Sequence, residues 1–312
     1  MLNKIKMNGA EVLAQILIEK GVNVVFGIPG VSNLPLFEAL RRAGIRVIAS
    51  THEQGSAFMA YGVGRVTGKP GVFITIPGPG LTNAITPIVE ALVDSTPLLG
   101  IVTSAPMTVK KFQMHEIDQT HLAQPIVKSI RTVDRAADIS SAFKAQLRLA
   151  TTGEPGPCLL QIPANLFWDR ADRIEPDEAA TAIEEDREEQ LSDVIQRIRS
   201  ARRIGLFTGM GAADAAGQVR ELAEWLNAPV GTTGSGRGVV EESHPLSLGF
   251  GWKAASIDAV NRIFDQCDLI LAIGVKFSQT GTQEYHLKFQ APMIHIDREP
   301  EVPAQITRLR SD

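Results

Sequence analysis

Thr51-His52-Glu53-Gln54 places an imidazole beside a carboxylate, directly after the apolar run 46–49 and at the opening of a small-residue helix, 55–65. In open α/β sheets ligands collect outside the carboxyl ends of the strands, so an acid at this point can exchange a proton with a bound molecule. A plainer explanation covers the same residues. Thr51 and Gln54 have capping-box spacing, and an acid in the first turn of a helix is favoured by the helix dipole. Taken alone, Glu53 is better explained as a helix-start acid. Two further strand ends carry turns that bring backbone close to a ligand: Gly27-Ile28-Pro29-Gly30 after 24–26, and Gly78-Pro79-Gly80-Leu81-Thr82-Asn83 after 71–75. Each by itself is an ordinary tight turn, but three such strand ends fall in one half of the chain.

The elements that would hold these residues follow from hydrophobic periodicity. From residue 8 to about 170, helix-period stretches alternate with short apolar runs, the pattern of a mostly parallel sheet covered by helices. Val12, Leu13, Ile16 and Leu17 predict a helix over 10–20 that stops at Gly21, and strands are expected at 24–26, 46–49, 71–75, 98–102 and 157–162. Residues 173–190 are acidic, Ala-rich and poor in large apolar side chains, which suits a solvated connector. A second alternation then begins: helices at 192–201, 215–226 and 257–264, strands at 204–208, 230–232, 269–273 and 293–296. The fold class expected is α/β, two doubly wound, mostly parallel α/β domains in tandem, at residues 1–172 and 191–312 with a linker at 173–190.

Composition limits the function. A length of 312 residues allows two domains of ordinary size, each with its own core. The net charge of −4 comes from interspersed charges, with no basic face to track phosphates, so nucleic acid is not an expected partner. Cys158 and Cys267 lie far apart in apolar surroundings without metal or redox spacing, as core thiols of a reducing compartment do. No apolar run reaches the length of a membrane span or of a signal peptide, so a cytoplasmic protein without a membrane partner is expected.

Taken together, Val25 to Gly30, His52-Glu53-Gln54-Gly55, Gly78 to Asn83, Asp94-Ser95-Thr96-Pro97-Leu98 and His115-Glu116-Ile117-Asp118-Gln119 resemble, in order and spacing, the pyrimidine-binding domain of thiamine-diphosphate-dependent enzymes of the acetolactate synthase and 2-oxo-acid decarboxylase type. Gly209-Met210-Gly211-Ala212, Ala228-Pro229-Val230, Gly236-Arg237-Gly238, His244 to Gly249 and Ile294-His295-Ile296-Asp297 resemble the central domain of the same family. Each motif is weak alone, whereas the set covers almost the whole chain.

The resemblance implies roles. Glu53 would bind the N1' nitrogen of the aminopyrimidine and promote loss of the thiazolium C2 proton. Ile28, Pro29, Gly30, Gly78, Thr82 and Asn83 would line the coenzyme's pyrimidine end. Gly30, Met114 and His115 would face the substrate, with His115 a catalytic proton donor or acceptor; Met114 and His115 replace the family's Phe-Gln, which implies an altered pocket. Pro77 stands where such synthases often carry Ser, and removes a hydroxyl and a backbone donor. FAD, bound by some central domains, is disfavoured because Val275-Lys276-Phe277-Ser278-Gln279 departs from the Arg-Phe-Asp-Asp-Arg type of FAD-binding members.

Relatives hold Mg²⁺ and the diphosphate through a third domain bearing Gly-Asp-Gly. No Gly-Asp-Gly occurs in these 312 residues, and no metal site is expected on them. The resemblance therefore leads to the expectation that the diphosphate-binding domain is absent and that this is one subunit of a split lyase or carboligase acting on 2-oxo acids. A partner chain would hold Mg²⁺ and the diphosphate in a heterotetramer or larger assembly, and this chain would be inactive alone. A non-catalytic nucleotide-binding or regulatory homologue, and a truncated fragment, are the alternatives.

Overall fold

The computed structural model describes residues 7–108, 112–171, 188–250 and 254–298. The chain divides into two compact units, residues 1–180 and 181–312.

The first unit opens with β1 (Met7–Asn8) and α1 (Gly9–Glu19). Asn8 starts α1 with a reciprocal cap: its Oδ1 accepts from Glu11 N and Glu11 Oε2 accepts from Asn8 N, both at 2.9 Å. There follow β2 (Val24–Gly27), α2 (Leu34–Arg42), β3 (Arg46–Ile48), α3 (Glu53–Thr67), β4 (Gly71–Thr75), α4 (Pro79–Asn83), α5 (Ile85–Val93) and β5 (Leu98–Ser104). The unit closes with α6 (Gln119–Ala123), β6 (Ser129–Thr132), α7 (Ile139–Leu149), β7 (Pro157–Pro163) and β8 (Arg170–Ala171). Six strands form one parallel sheet in the order β3-β2-β4-β5-β7-β6, and β1 pairs antiparallel with β8.

Helices cover both sheet faces, which is why β4 reads as an unbroken apolar run and is buried at every residue. Side chains alternate along it: Val72 and Ile74 join the core containing Leu13, Leu17 and Phe143, while Phe73 joins the core containing Ala57, Ala60 and Leu159. The connection from β2 leads to β3 on one side and that from β4 leads to β5 on the other. The sheet's switch point, where an open α/β sheet offers a crevice, therefore lies outside the carboxyl ends of β2 and β4.

The second unit comprises α8 (Glu188–Ser200), β9 (Ile204–Thr208), α9 (Ala216–Leu226), β10 (Val230–Thr232), β11 (Ser247–Gly249), α10 (Ala254–Phe264), β12 (Leu269–Ile273) and β13 (Met293–Ile296). Its five strands are all parallel, ordered β11-β10-β9-β12-β13. Phe207, Phe264, Phe277 and Phe289 pack one face, with ring centroids 5.3–6.4 Å apart. Both units are thus doubly wound α/β structures, as the periodicity predicts.

Three details depart from the expected pattern. Strands β1, β6, β8 and β11 have no counterpart in it. The N-cap of α3 is His52, with Nδ1 accepting from Gln54 N at 3.2 Å, so the Thr51 capping box does not form. Residues 188–190 of the expected linker are the first turn of α8, while 173–187 lie outside the described residues.

Candidate functional site

Helix α3 carries Glu53 to the switch-point crevice because its inner face is small. Ala57, Ala60 and Gly64 let it lie against the sheet: a Cβ on Gly64 would run into the Pro97 carbonyl, and one on Gly71 into the Ala60 backbone. Ser50, just past β3, pins the helix start, donating to His52 O at 2.6 Å and lying 2.6 Å from Ser56 Oγ. Glu53 is consequently 9% exposed. Its Oε2 accepts from Asn83 Nδ2 at 2.9 Å, and no described residue bonds Oε1. A largely buried carboxyl with one oxygen steadied and the other available is equipped to hold or pass a proton.

The turn after β2 is organised by Asn33, which is fully buried. Its Oδ1 accepts from Gly30 N at 2.7 Å and its Nδ2 donates to Ile28 O at 3.4 Å. Ile76, leaving β4, is the meeting point of two turns: a Cβ added to Gly30 would stand 2.6 Å from its Cγ2, and one on Gly80 2.8 Å from its Cγ1. Gly30 and Gly80 are therefore glycine because backbone closes onto Ile76 from both sides. Ile28 and Gly30 are partly buried, Pro29 is exposed, and exposed Thr82 caps its own helix through Pro79 O at 3.1 Å.

Gly78 adopts φ +59° and ψ −103°, and a Cβ there would stand 2.5 Å from the His115 carbonyl oxygen. The loop containing Met114 and His115 thus rests its backbone on the Gly78 turn. Both side chains point outward, Met114 at 70% exposure, and His115 has φ +64°. Beneath them Gln119, 3% exposed, accepts from Gly78 N at 2.8 Å. The structure brings Gly30, Gly78, Asn83 and Glu53 to one end of one sheet, and leaves Thr82 and Pro29 on its rim. Asn33 and Gln119 have no role in the sequence reading; for Asn33, an Asx side chain three residues past a turn glycine is a local signal that could have found it.

The Asp94-Ser95-Thr96-Pro97 motif proves to be a brace for α3. Tyr61 Oη donates to Asp94 Oδ2 at 2.6 Å, Arg65 lies 3.6 Å from the same oxygen, and Ser95 Oγ donates to Glu154 Oε1 at 2.8 Å. Burial first, and the Asp94 carboxylate second, push the Tyr61 phenol up to about 12.

The other histidines find partners. His121 Nδ1 lies 2.8 Å from Asp118 Oδ2, His244 Nε2 3.1 Å from Glu224 Oε1, and His286 Nδ1 2.9 Å from Gln283 O, while His295 stacks edge-on against Phe277. Among the described residues no His, Cys, Asp and Glu group has the makings of a metal site, and no helix is long and apolar enough to cross a membrane. In the second unit Gly209 N donates to Ile273 O at 3.0 Å and Gly211 N to Gly274 O at 3.1 Å. The glycines of that fragment spend their donors on β12's end instead of aiming them at a phosphate.

Comparison with known proteins shows the family of both units. Residues 7–124 match the family model described as "Thiamine pyrophosphate enzyme, N-terminal TPP binding domain", and residues 191–308 match "Thiamine pyrophosphate enzyme, central domain". The chain is 33% identical over 301 residues to the acetolactate synthase isozyme 1 large subunit of Escherichia coli (strain K12), covering 94% of this chain and 53% of that protein. It is 33% identical over 311 residues to a probable acetolactate synthase large subunit of Methanocaldococcus jannaschii, covering 94% and 51%, and 34% identical over 329 residues to an acetolactate synthase of Arthrospira platensis, covering 98% and 55%. The chain spans about half the length of the curated relatives it matches.

Proposed function

The chain belongs to the thiamine pyrophosphate enzyme family through its N-terminal and central domains, and from that premise we propose that it supplies the coenzyme-activating half of an acetolactate-synthase-like lyase or carboligase for 2-oxo acids. The observation that carries the proposal is Glu53: a largely buried carboxyl at a sheet switch point, one oxygen held by Asn83 and the other available, near two Gly/Pro turns whose glycines leave no room for a side chain. A flat heterocycle with a basic ring nitrogen fits that donor set. Residues 1–172 would form the pyrimidine-binding domain and 191–312 the central one.

Glu53 would hold a proton at Oε1 against the pyrimidine N1', and Asn83 would keep the carboxyl turned toward it. Ile28, Pro29, Gly30, Gly78 and Thr82 would enclose the ring and exclude water from it. The coenzyme, once bound, would supply the nucleophilic carbon. Met114 and His115 would meet the substrate from the loop above Gly78, where the imidazole would serve as proton donor or acceptor. Since these 312 residues contain no Gly-Asp-Gly, the grip on diphosphate and Mg²⁺ would come from residues outside them, in our reading on a companion subunit.

The test is reconstitution. This chain is produced alone and with the product of a neighbouring reading frame encoding Gly-Asp-Gly, and carbon dioxide release from a panel of 2-oxo acids is followed with and without thiamine diphosphate and Mg²⁺. Release that requires both polypeptides and both additives is expected. Release by the companion alone at the full rate would overturn the proposal.

A further inference from the structure

Pro77 and Pro79 bracket Gly78, and neither has a backbone N–H, so Gly78 holds the one donor of the turn that launches α4. That donor is buried, and an unpaired buried N–H is costly. Gln119 takes it through Oε1 at 2.8 Å, from forty-one positions away. The two hydrogens of Gln119 Nε2 go to Thr103 O, at the end of β5, and to Gln161 Oε1, on β7, each at 3.2 Å. Gln161 Nε2 in turn donates to Thr132 Oγ1 on β6 at 3.2 Å. An amide flip would set Gln119 Oε1 against two acceptors, so its orientation is fixed by the network.

What depends on this contact lies on either side of it. Helix α4 has five residues, too few to persist on its own hydrogen bonds, and its last residue, Asn83, holds Glu53. Gln119 itself is the first residue of α6, directly after the loop that carries Met114 and His115 and rests the His115 carbonyl on Gly78. We infer that Gln119 is a positioning residue that couples this pocket loop to the orientation of Glu53, through Gly78, α4 and Asn83. The inference deepens the reading of Glu53 as the activating acid and rests on it.

Two variants test it. Gln119→Leu keeps the volume and removes every polar contact; Gln119→Glu keeps the acceptor for Gly78 N–H and, when ionised, loses both donors. In the active assembly, well below its melting temperature, Gln119→Leu is expected to lower kcat about tenfold, as a misplaced catalytic group does. In the same variant Gly78 amide exchange, read by NMR on this chain, is expected to accelerate. The Gln119→Glu rate, divided by that of the unaltered enzyme, is expected to rise as pH falls, because the protonated carboxyl regains one donor.

A kcat ratio for Gln119→Glu that is one and flat with pH would overturn the inference, even if the melting temperature drops. Should Gln119→Leu fail to fold, that pH profile alone decides. The underlying reading fails separately: a Glu53→Gln enzyme with full turnover refutes it, while the Gly78 exchange rates still report whether Gln119 clamps the turn.

Discussion

Asn83 Nδ2 donates to Glu53 Oε2 across 2.9 Å, joining the last residue of α4 to the first residue of α3. The bond links the starts of two successive crossovers of the sheet, with β4 between them, so the direction in which the carboxyl faces is a property of the tertiary fold.

Replacing either partner separates position from chemistry. Glu53→Gln is expected to abolish thiamine-diphosphate-dependent turnover with the melting temperature changed by little, since the amide can still accept from Asn83. Asn83→Ala removes only the steadying contact and is expected to cost about tenfold in kcat, or roughly 1.4 kcal/mol. Steady-state rates of the reconstituted assembly check both, and unimpaired turnover by Glu53→Gln would refute the assignment.

Gly78 and Gly68 both have positive φ, +59° and +67°, but differ in surroundings. A Cβ at Gly68 meets nothing within 4 Å, so Gly68→Ala should cost only the left-handed backbone penalty, about 1–2 kcal/mol. At Gly78 the His115 carbonyl must also move, and Gly78→Ala should cost clearly more and expose the 112–118 loop to protease. Urea unfolding of the two variants measures the difference.

The Lys128 ammonium donates to the carbonyls of Leu149, Thr152 and Glu154 at 2.7, 2.7 and 2.5 Å, capping the carboxyl end of α7 and the turn that follows. Lys128→Met keeps the stem and loses the cap. Because the side chain is at the surface, a loss of about 1 kcal/mol is expected, read as a melting temperature lower by a few degrees.

Tyr61 and Cys158 set the alkaline behaviour. With its folded pKa raised to about 12 against an ordinary 10, Tyr61 favours folding fully below pH 10, and that contribution fades as pH climbs from 10 through 12. Burial likewise pushes the Cys158 thiol up to about 11, so the folded chain should resist alkylation at pH 8 and react on unfolding. Tyr61→Phe should flatten the stability loss between pH 10 and 12; an unaltered slope would show that the Tyr61 phenol contributes nothing to it.

Strands such as Gly71–Thr75 and Leu269–Ile273 are legible in the sequence because a sheet covered on both faces needs continuous apolar runs. The edge strand Ser129–Thr132 offers a single apolar residue, Ile130, and is a strand only because Cys158 to Gln161 lie alongside it. His52 is an uncommon cap, which is why local rules favour Thr51. The Gly/Pro turns and the acid at position 53 are visible as chemistry waiting for a partner. That Gln119 and Asn83 are the partners depends on contacts across 41 and 30 positions, which no local pattern encodes.

Ile76 acts as a wedge between two stretches of bare main chain, and its branches set how far apart Gly30 and Gly80 stand. The breadth of the crevice is thereby delegated to one aliphatic residue that handles no protons. Val would keep both γ-carbons and hence the spacing, whereas Ala would remove both and let the walls settle inward, narrowing the crevice while the acid stays where it is.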